Sequence, residues 1–471
     1  MFSLKKIVQK LRRQRAILVL LFFICFVIFL GVTYLKPAWD IRSDGFGYYS
    51  YLRSLFFDGN IFFGNEQDFF KDTFDIKKRT FYDHVTTTGY YPNPFAIGSA
   101  ILWLPFFLVA VVLQKLFNFE NYLCLPGYNA PFQSLLNVAS IFYGLLGAYF
   151  SFKTARLFFK QSTSLFAVLS IVLASPLIYY FIYEGIWSHL NSFFMISLFY
   201  YAYFYFQKRD MVGKYMALGL IFGLAVLVRW QNLLFGSVFV LEFLFTAGEW
   251  LALNKKEGRK YNIKYVFGFI VVSVKKYGQI MLGLLIAFLP QMFAWKLVYG
   301  EVLVIPESNT HLSLFEPAFV DFLFSKARGF FIWSPIYVIS ILGLLLFLRQ
   351  KSFKAWSLTK RVMTFLMLTV PFLLQVYLNS SLSDWYGGGA PGAFGARRML
   401  NASVIYILGL AAFYSLFYQS KKKWPKLIPF LLTLILVSLN ILLMIAMARG
   451  YIEFDLSGNL WQVFIEKLHL L

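Results

Sequence analysis

The sequence predicts an all-α polytopic membrane protein of about eleven transmembrane helices, with interfacial helices in a long first outer loop. Composition is the first reason. Of 471 residues, 59% are hydrophobic and only 14% charged, with mean hydropathy +0.65, against roughly 25% charged in soluble domains. The second is the number of apolar runs that reach the roughly 20 residues needed to cross a bilayer. The third is the placement of the basic residues, which fall in clusters between those runs.

The candidate spans are 16–35, 131–152, 164–182, 189–206, 214–229, 231–247, 277–298, 331–349, 362–379, 400–418 and 426–447. The first follows a basic N-terminal stretch, and no small-residue cleavage site follows it, so it reads as an uncleaved anchor. One further segment, 95–117, is apolar but carries Pro105. If it spans, the count is twelve.

Charge arbitrates between the two counts. Cytoplasmic loops carry the excess of Lys and Arg. With 95–117 left out of the count, the N-terminus and five later basic clusters share one side: Lys153/Arg156/Lys160, Lys208/Arg209/Lys214, Lys255–Lys276, Arg349–Arg361 and Lys421–Lys426. With 95–117 spanning, those later clusters change sides. The first arrangement places the N-terminus in the cytoplasm, the C-terminus outside and an outer loop at 36–130. The net charge of +22 is then a topology signal, and nucleic acid is not needed to explain it. The chain reads as a single membrane domain, 1–471, with no separate soluble domain. Cys25 and Cys124 form no metal or redox pattern.

Charged residues on the outer side are the informative ones, because ions near the bilayer are costly and usually face a cavity. Asp44 comes first, in Ser-Asp-Gly-Phe-Gly, which reads as a turn holding a carboxylate. Such a group can serve as a general base or bind a divalent cation; a turn-capping acid is the plain alternative. Tyr49 to Gly59 has helical apolar spacing around Arg53, which suits a helix lying along the headgroups. Thr86 to Phe95 carries two prolines and a glycine, an irregular backbone tolerated near a membrane where it lines a wet cavity. Asn93 is its polar candidate.

Further along, Glu184, Trp187 and His189 stand at the outer end of a span. Glu184 and His189 are accessory cavity candidates, while Trp187 fits an interfacial aromatic belt. Arg229 sits between two spans with almost no loop, where an outer arginine asks for a phosphate or carboxylate partner. Arg328, in KARGFFIWSP, is a weaker case of the same kind. The strongest second signal is DWYGGGAPGAFGARRML, which runs from Asp384 through Arg397 and Arg398 into a helix. Backbone N–H groups of a Gly-rich turn at a helix start favour anions, and two arginines add bidentate phosphate recognition.

In order along the chain, SDGFGYYSYLRSL, YYPNPFAIG, VLVRWQN, RGFFIWSP and WYGGGAPGAFGARR resemble the bacterial multi-span glycosyltransferases of the GT-C superfamily, relatives of the lipid A aminoarabinose transferases and protein O-mannosyltransferases. That resemblance implies a polyprenyl-phosphate sugar donor, a lipid, glycan or protein acceptor, and work on the non-cytoplasmic face of the bacterial inner (plasma) membrane. It implies an acid in the first outer loop as base, a place Asp44 occupies, and interfacial helices in that loop. Transfer would be inverting, with Arg397, Arg398 and Arg229 on the donor phosphate and Glu184, His189, Asp384, Arg328 and Asn93 around the cavity. Many members carry two acids flanking one residue at this motif. Here Ser43 and Arg42 precede Asp44, so a carboxylate-pair metal site is in doubt. No cofactor is required, though a divalent cation could share the charge. The rival reading is a transporter or flippase for an anionic lipid or solute. Transporters often show internal repeats and polar groups at the bilayer midplane; no repeat is visible, and the polar residues cluster at one face.

Overall fold

The computed structural model describes residues 2–37, 39–74, 84–117, 119, 125–256, 263–306, 311–350, 356–387, 393–420, 422 and 424–452. It is built from helices: α1 Phe2–Leu35, α2 Asp44–Arg53, α3 Gly64–Phe74, α4 Gly98–Phe117, α5 Ala130–Ala155, α6 Gln161–Leu173, α7 Leu177–Ile182, α8 His189–Phe206, α9 Lys214–Val228, α10 Ser237–Lys256, α11 Ile263–Tyr299, α12 Phe319–Phe324, α13 Phe330–Trp333, α14 Ile336–Leu345, α15 Leu358–Ser380, α16 Ser403–Tyr418 and α17 Leu427–Ala448. A wider helical turn, Ser54–Asp58, extends α2; 3-10 turns lead into α10 (Trp230–Gly236) and α16 (Arg397–Ala402).

All eleven expected spans are helical. Among the described residues, eight helices are long and apolar enough to cross a membrane, seven of them expected spans and the eighth α4; the expected span at 189–206, α8, is not among them, and α6, α9 and α14 are shorter apolar helices. Two of the three gain length from neighbours: α7 follows α6 after Pro176, and α13 with the turn Phe347–Arg349 brackets α14. Three helices run past their expected boundaries: α1 starts at Phe2, α10 ends at Lys256 and α11 starts at Ile263. Of the inner loop expected from 248 to 276, residues 248–256 and 263–276 are helical, and 257–262 lie outside the described residues. Apolar residues run through Tyr265–Val274, so α11 continues well past the expected start at 277.

The spanning helices alternate in direction, as their end contacts reveal. At one end, the Trp39 indole donates to the Ile182 carbonyl (2.8 Å), Asn137 to the Trp39 carbonyl (3.0 Å), Gln231 to the Arg398 carbonyl (2.6 Å) and Gln375 to the Gln231 carbonyl (2.7 Å). At the other end, Phe158 packs on Phe204, Phe347 and Trp356, and Gln350 donates to the Ala412 carbonyl. The basic residues Lys153, Arg156 and Lys160 belong to this second end.

Helix α4, the segment of disputed topology, is apolar enough to span, yet its contacts keep it at the first end. It runs antiparallel along the first half of α5. Tyr143 donates to the Leu102 carbonyl (2.8 Å), Trp103 to Ser140 (2.8 Å), and Gln114 accepts from Asn129, just before α5 begins. Its start abuts the end of α9, where a Cβ on Gly98 would fall 2.3 Å from the Leu227 backbone.

Helix α16 is the central element, buried on nearly every side, whereas α1, α10 and α17 expose long apolar faces. A bilayer supplies no hydrophobic drive between helices, so close approach comes from small residues. Thus Gly343 of α14 meets Gly409 of α16, where a Cβ would lie 1.9 Å from the facing carbonyl oxygen.

Candidate functional site

The carboxylate and arginines separated in sequence converge on one cavity of about 780 Å³. Its charged lining residues are Asp44, Arg229, Asp384, Arg397 and Arg398, joined by Tyr48 and Gln231. The opposing wall is apolar, built from Leu284, Leu285, Phe288, Met292 and Trp295 of α11 with Leu303–Pro306 beyond it.

Asp44 is the first residue of α2 and does not sit in a turn. The preceding Ser43 takes a positive φ (53°), which ends the approach and starts the helix. Gly45 and Gly47, which mimic a turn signal, serve close packing. A Cβ on Gly45 would sit 2.7 Å from the Ile186 side chain, and one on Gly47 only 2.1 Å from the Phe95 ring. The helix therefore presses into its neighbours and delivers Asp44 to the cavity. One turn on, the same face delivers Tyr48, whose phenol burial pushes upward in pKa. It accepts a hydrogen bond from Ser188 (2.9 Å).

Arg397 faces Asp44, Nη2 to Oδ2 at 3.7 Å. That is too long for a hydrogen bond. Its Nε and Nη1 have no partner among the described residues, although the residue is 7% exposed. Its guanidinium lies over the Trp187 ring, 4.3 Å from the centroid. Arg229 donates through Nη1 to Ser188 (3.1 Å) and meets His189 Nδ1 at 3.3 Å, with Gln231 at 3.5 Å from Nη2. The Arg229 Nε also has no partner among the described residues. Arg398 is different: it grips both carboxylate oxygens of Asp384 (2.6 and 2.9 Å). The three arginines expected on a phosphate thus divide into two with donors to spare and one committed to an acid.

Of the accessory set, Asp384 alone lines the cavity. Glu184 is not a second acid in it: 2% exposed, it pairs with Arg42 at 2.9 Å. Burial pushes its carboxyl up to about 7, with Arg42 offsetting part of the rise. His189, 1% exposed, sits behind Arg229 and meets the Tyr180 ring edge-on (4.8 Å). Arg328 donates to the Tyr386 carbonyl (2.5 Å) and packs on the loop after Asp384; burial lowers its pKa to about 10. Asn93 is a clip, donating to the Gly47 carbonyl (2.9 Å) and accepting from the Phe95 N–H (3.0 Å). The centre of the Gly-rich loop, 388–392, expected to offer an anion its backbone N–H groups, lies outside the described residues.

Two further readings change. The Tyr49–Gly59 helix does not float Arg53 at a headgroup. Arg53 is 2% exposed and pairs with Asp58 and with Glu66, the latter at 2.9 Å; Leu55, Phe56 and Phe57 form the exposed face. Trp187 is no belt residue, being 1% exposed. Sequence reading missed Tyr48 as well, because a presumed turn hid its spacing of four from Asp44. Among the described residues no group of three His, Cys, Asp or Glu side chains is placed to hold a metal ion, and both carboxylates on the cavity wall face arginines.

No family model and no curated protein matches the chain. Among solved structures the chain is similar to the oligosaccharyltransferase of Archaeoglobus fulgidus in its apo form, with a TM-score of 0.49 and 12% identity. The match covers 92% of this chain and 56% of that one, so this chain spans little more than half the length of that protein.

Proposed function

We propose that the chain is a GT-C-type membrane glycosyltransferase. In this reading it moves a sugar from a polyprenyl-phosphate donor to a hydroxyl or amine of a lipid, glycan or protein acceptor, with inversion. The observation that carries the reading is the meeting of Asp44 and Arg397 at 3.7 Å in a cavity whose other wall is apolar. Such a cavity suits a ligand that is anionic at one end and hydrocarbon at the other. The motif resemblance across the chain points the same way.

The chemistry follows from the residues. The acceptor oxygen or nitrogen attacks the anomeric carbon from the face opposite the phosphate. Its proton passes to the Asp44 carboxylate as the bond forms. The bond from anomeric carbon to phosphate oxygen breaks, and charge grows on the departing phosphate. Arg397 and Arg229, both on the cavity wall and each with N–H groups that have no partner among the described residues, stabilise that charge. Arg398 holds the Asp384 loop against the cavity.

Sidedness follows from charge. The described residues of the basic clusters gather at the end of the bundle away from the cavity, which supports a cytoplasmic location for that end and a non-cytoplasmic one for the site, in a bacterial inner membrane. Polar lining confined to one end also disfavours transport through the midplane.

The test is incubation of the protein in proteoliposomes with a panel of labelled polyprenyl-phosphate sugars, wild type beside Asp44→Asn. Transfer or hydrolysis from one donor, lost in the variant, is expected. No turnover with any donor, alongside solute flux, would replace the enzyme by a transporter.

A further inference from the structure

We propose that Trp187, which does not line the cavity, is a positioning residue that holds Arg397 toward the donor phosphate, as part of a linker that organises the whole site from behind. The proposal rests on the glycosyltransferase reading above.

The linker is the short stretch between α7 and α8, and nearly every side chain in it touches a different part of the site. Glu184 pairs with Arg42, two residues before Asp44. Ile186 fills the space against Gly45. Trp187 lies beneath the Arg397 guanidinium. Ser188 accepts from Arg229 and donates to Tyr48. The stretch thus joins the approach to α2, α2 itself, the turn that starts α16 and the end of α9. It is buried from Glu184 to Ser188, with Glu184, Ile186, Trp187 and Ser188 each at 2% exposure or less.

Trp187 is the member with the clearest effect on chemistry. The Arg397 charge sits in a nearly dry place with one carboxylate at 3.7 Å and no partner for Nε or Nη1 among the described residues. A buried charge so sparsely satisfied is costly. The face of an indole is the best aromatic partner for a guanidinium, and here it covers one face of the group and leaves Nη2 directed at Asp44 on the cavity wall. Trp187 gains no hydrogen bond from this placement, since its Nε1 has no partner among the described residues. What the contact achieves is the orientation of Arg397.

The experiment uses the full chain in proteoliposomes. Fluorinated tryptophans, introduced at position 187 alone, weaken the π face while keeping the shape, so folding is preserved. Donor KM is expected to climb stepwise with fluorination, to about tenfold for the most fluorinated ring, with kcat changing less. Trp187→Phe should stay within about threefold of wild type, and Trp187→Leu should reach the loss of the most fluorinated ring. The affinity for polyprenyl phosphate without sugar should follow the same series, and it should not change with Trp187 once Arg397→Ala is present. A KM indifferent to fluorination while the wild type turns over would overturn the role of Trp187 alone. A wild type that neither binds polyprenyl phosphate nor uses any donor would overturn the function, and the proposal with it.

Discussion

Asp44 and Arg397 meet at 3.7 Å, one at the start of α2 and the other at the turn that opens α16. The distance exceeds a charge-assisted hydrogen bond of roughly 2.7–2.9 Å. The charges hold each other in place without closing the gap between them. A base and an anion-binding group that share a wall in this way can serve the two sides of one displacement, the proton leaving the acceptor and the charge arriving on the phosphate.

Asp44→Asn keeps the shape and the α2 start but removes the proton acceptor. Turnover should fall by about 10²–10⁴, the usual worth of a positioned general base, with donor KM little changed. Measuring kcat and KM separately checks this; full turnover in a folded variant would remove Asp44 from the chemistry.

Arg398 and Asp384 should behave as one unit. Each single alanine variant leaves the other charge without its bidentate partner, while the double variant removes both. A double-mutant cycle on donor kcat/KM should therefore show a coupling of roughly 1–2 kcal/mol. Losses that simply add would mean that the pair is incidental to the cavity.

The helices and the charged lining of the cavity were both legible in the sequence, for one physical reason. Apolar runs and stranded charges are extremes in a membrane, and extremes stand out. Asp44, Arg229, Asp384, Arg397 and Arg398 declared themselves because each sits at a span end where an ion needs a use. Gly45 and Gly47 did not, because a glycine that bends a chain and one that admits a neighbour look the same as letters. Trp187 was hidden by abundance: in a chain 21% aromatic, a tryptophan at a span end is explained before its cation partner is known. Arg53 misled in the same way, since a surface helix and a buried ion cluster can carry identical spacing.

That cluster makes its own prediction. Arg53 ties α2 to α3 through Asp58 and Glu66, and it also donates to the Pro126 carbonyl (3.1 Å). Burial raises the Glu66 pKa even with Arg53 opposing it. Arg53→Met would strand an acid that is 1% exposed, at a cost of about 3–5 kcal/mol. Adding Glu66→Gln should recover much of the loss. Thermal unfolding in detergent reads both steps, and a single variant as stable as wild type would show that the cluster is not a staple.

Glu184 gives a prediction in pH. Burial lifts its carboxyl from 4.5 to about 7, and the Arg42 pair offsets only part of that rise. The folded chain therefore holds this proton more tightly than the unfolded chain does. Between about 4.5 and about 7 the folded state binds more protons, so stability from this residue declines as pH rises through that window and levels off above it. At about 1.4 kcal/mol for each pKa unit, the decline is at most about 3 kcal/mol. Glu184→Gln cannot lose the proton and should escape the decline. The variant should gain on wild type in melting temperature between pH 5 and pH 8. Parallel melting curves for the two proteins across that range would place the Glu184 pKa in the ordinary carboxylate range and leave the pair with Arg42 charged throughout.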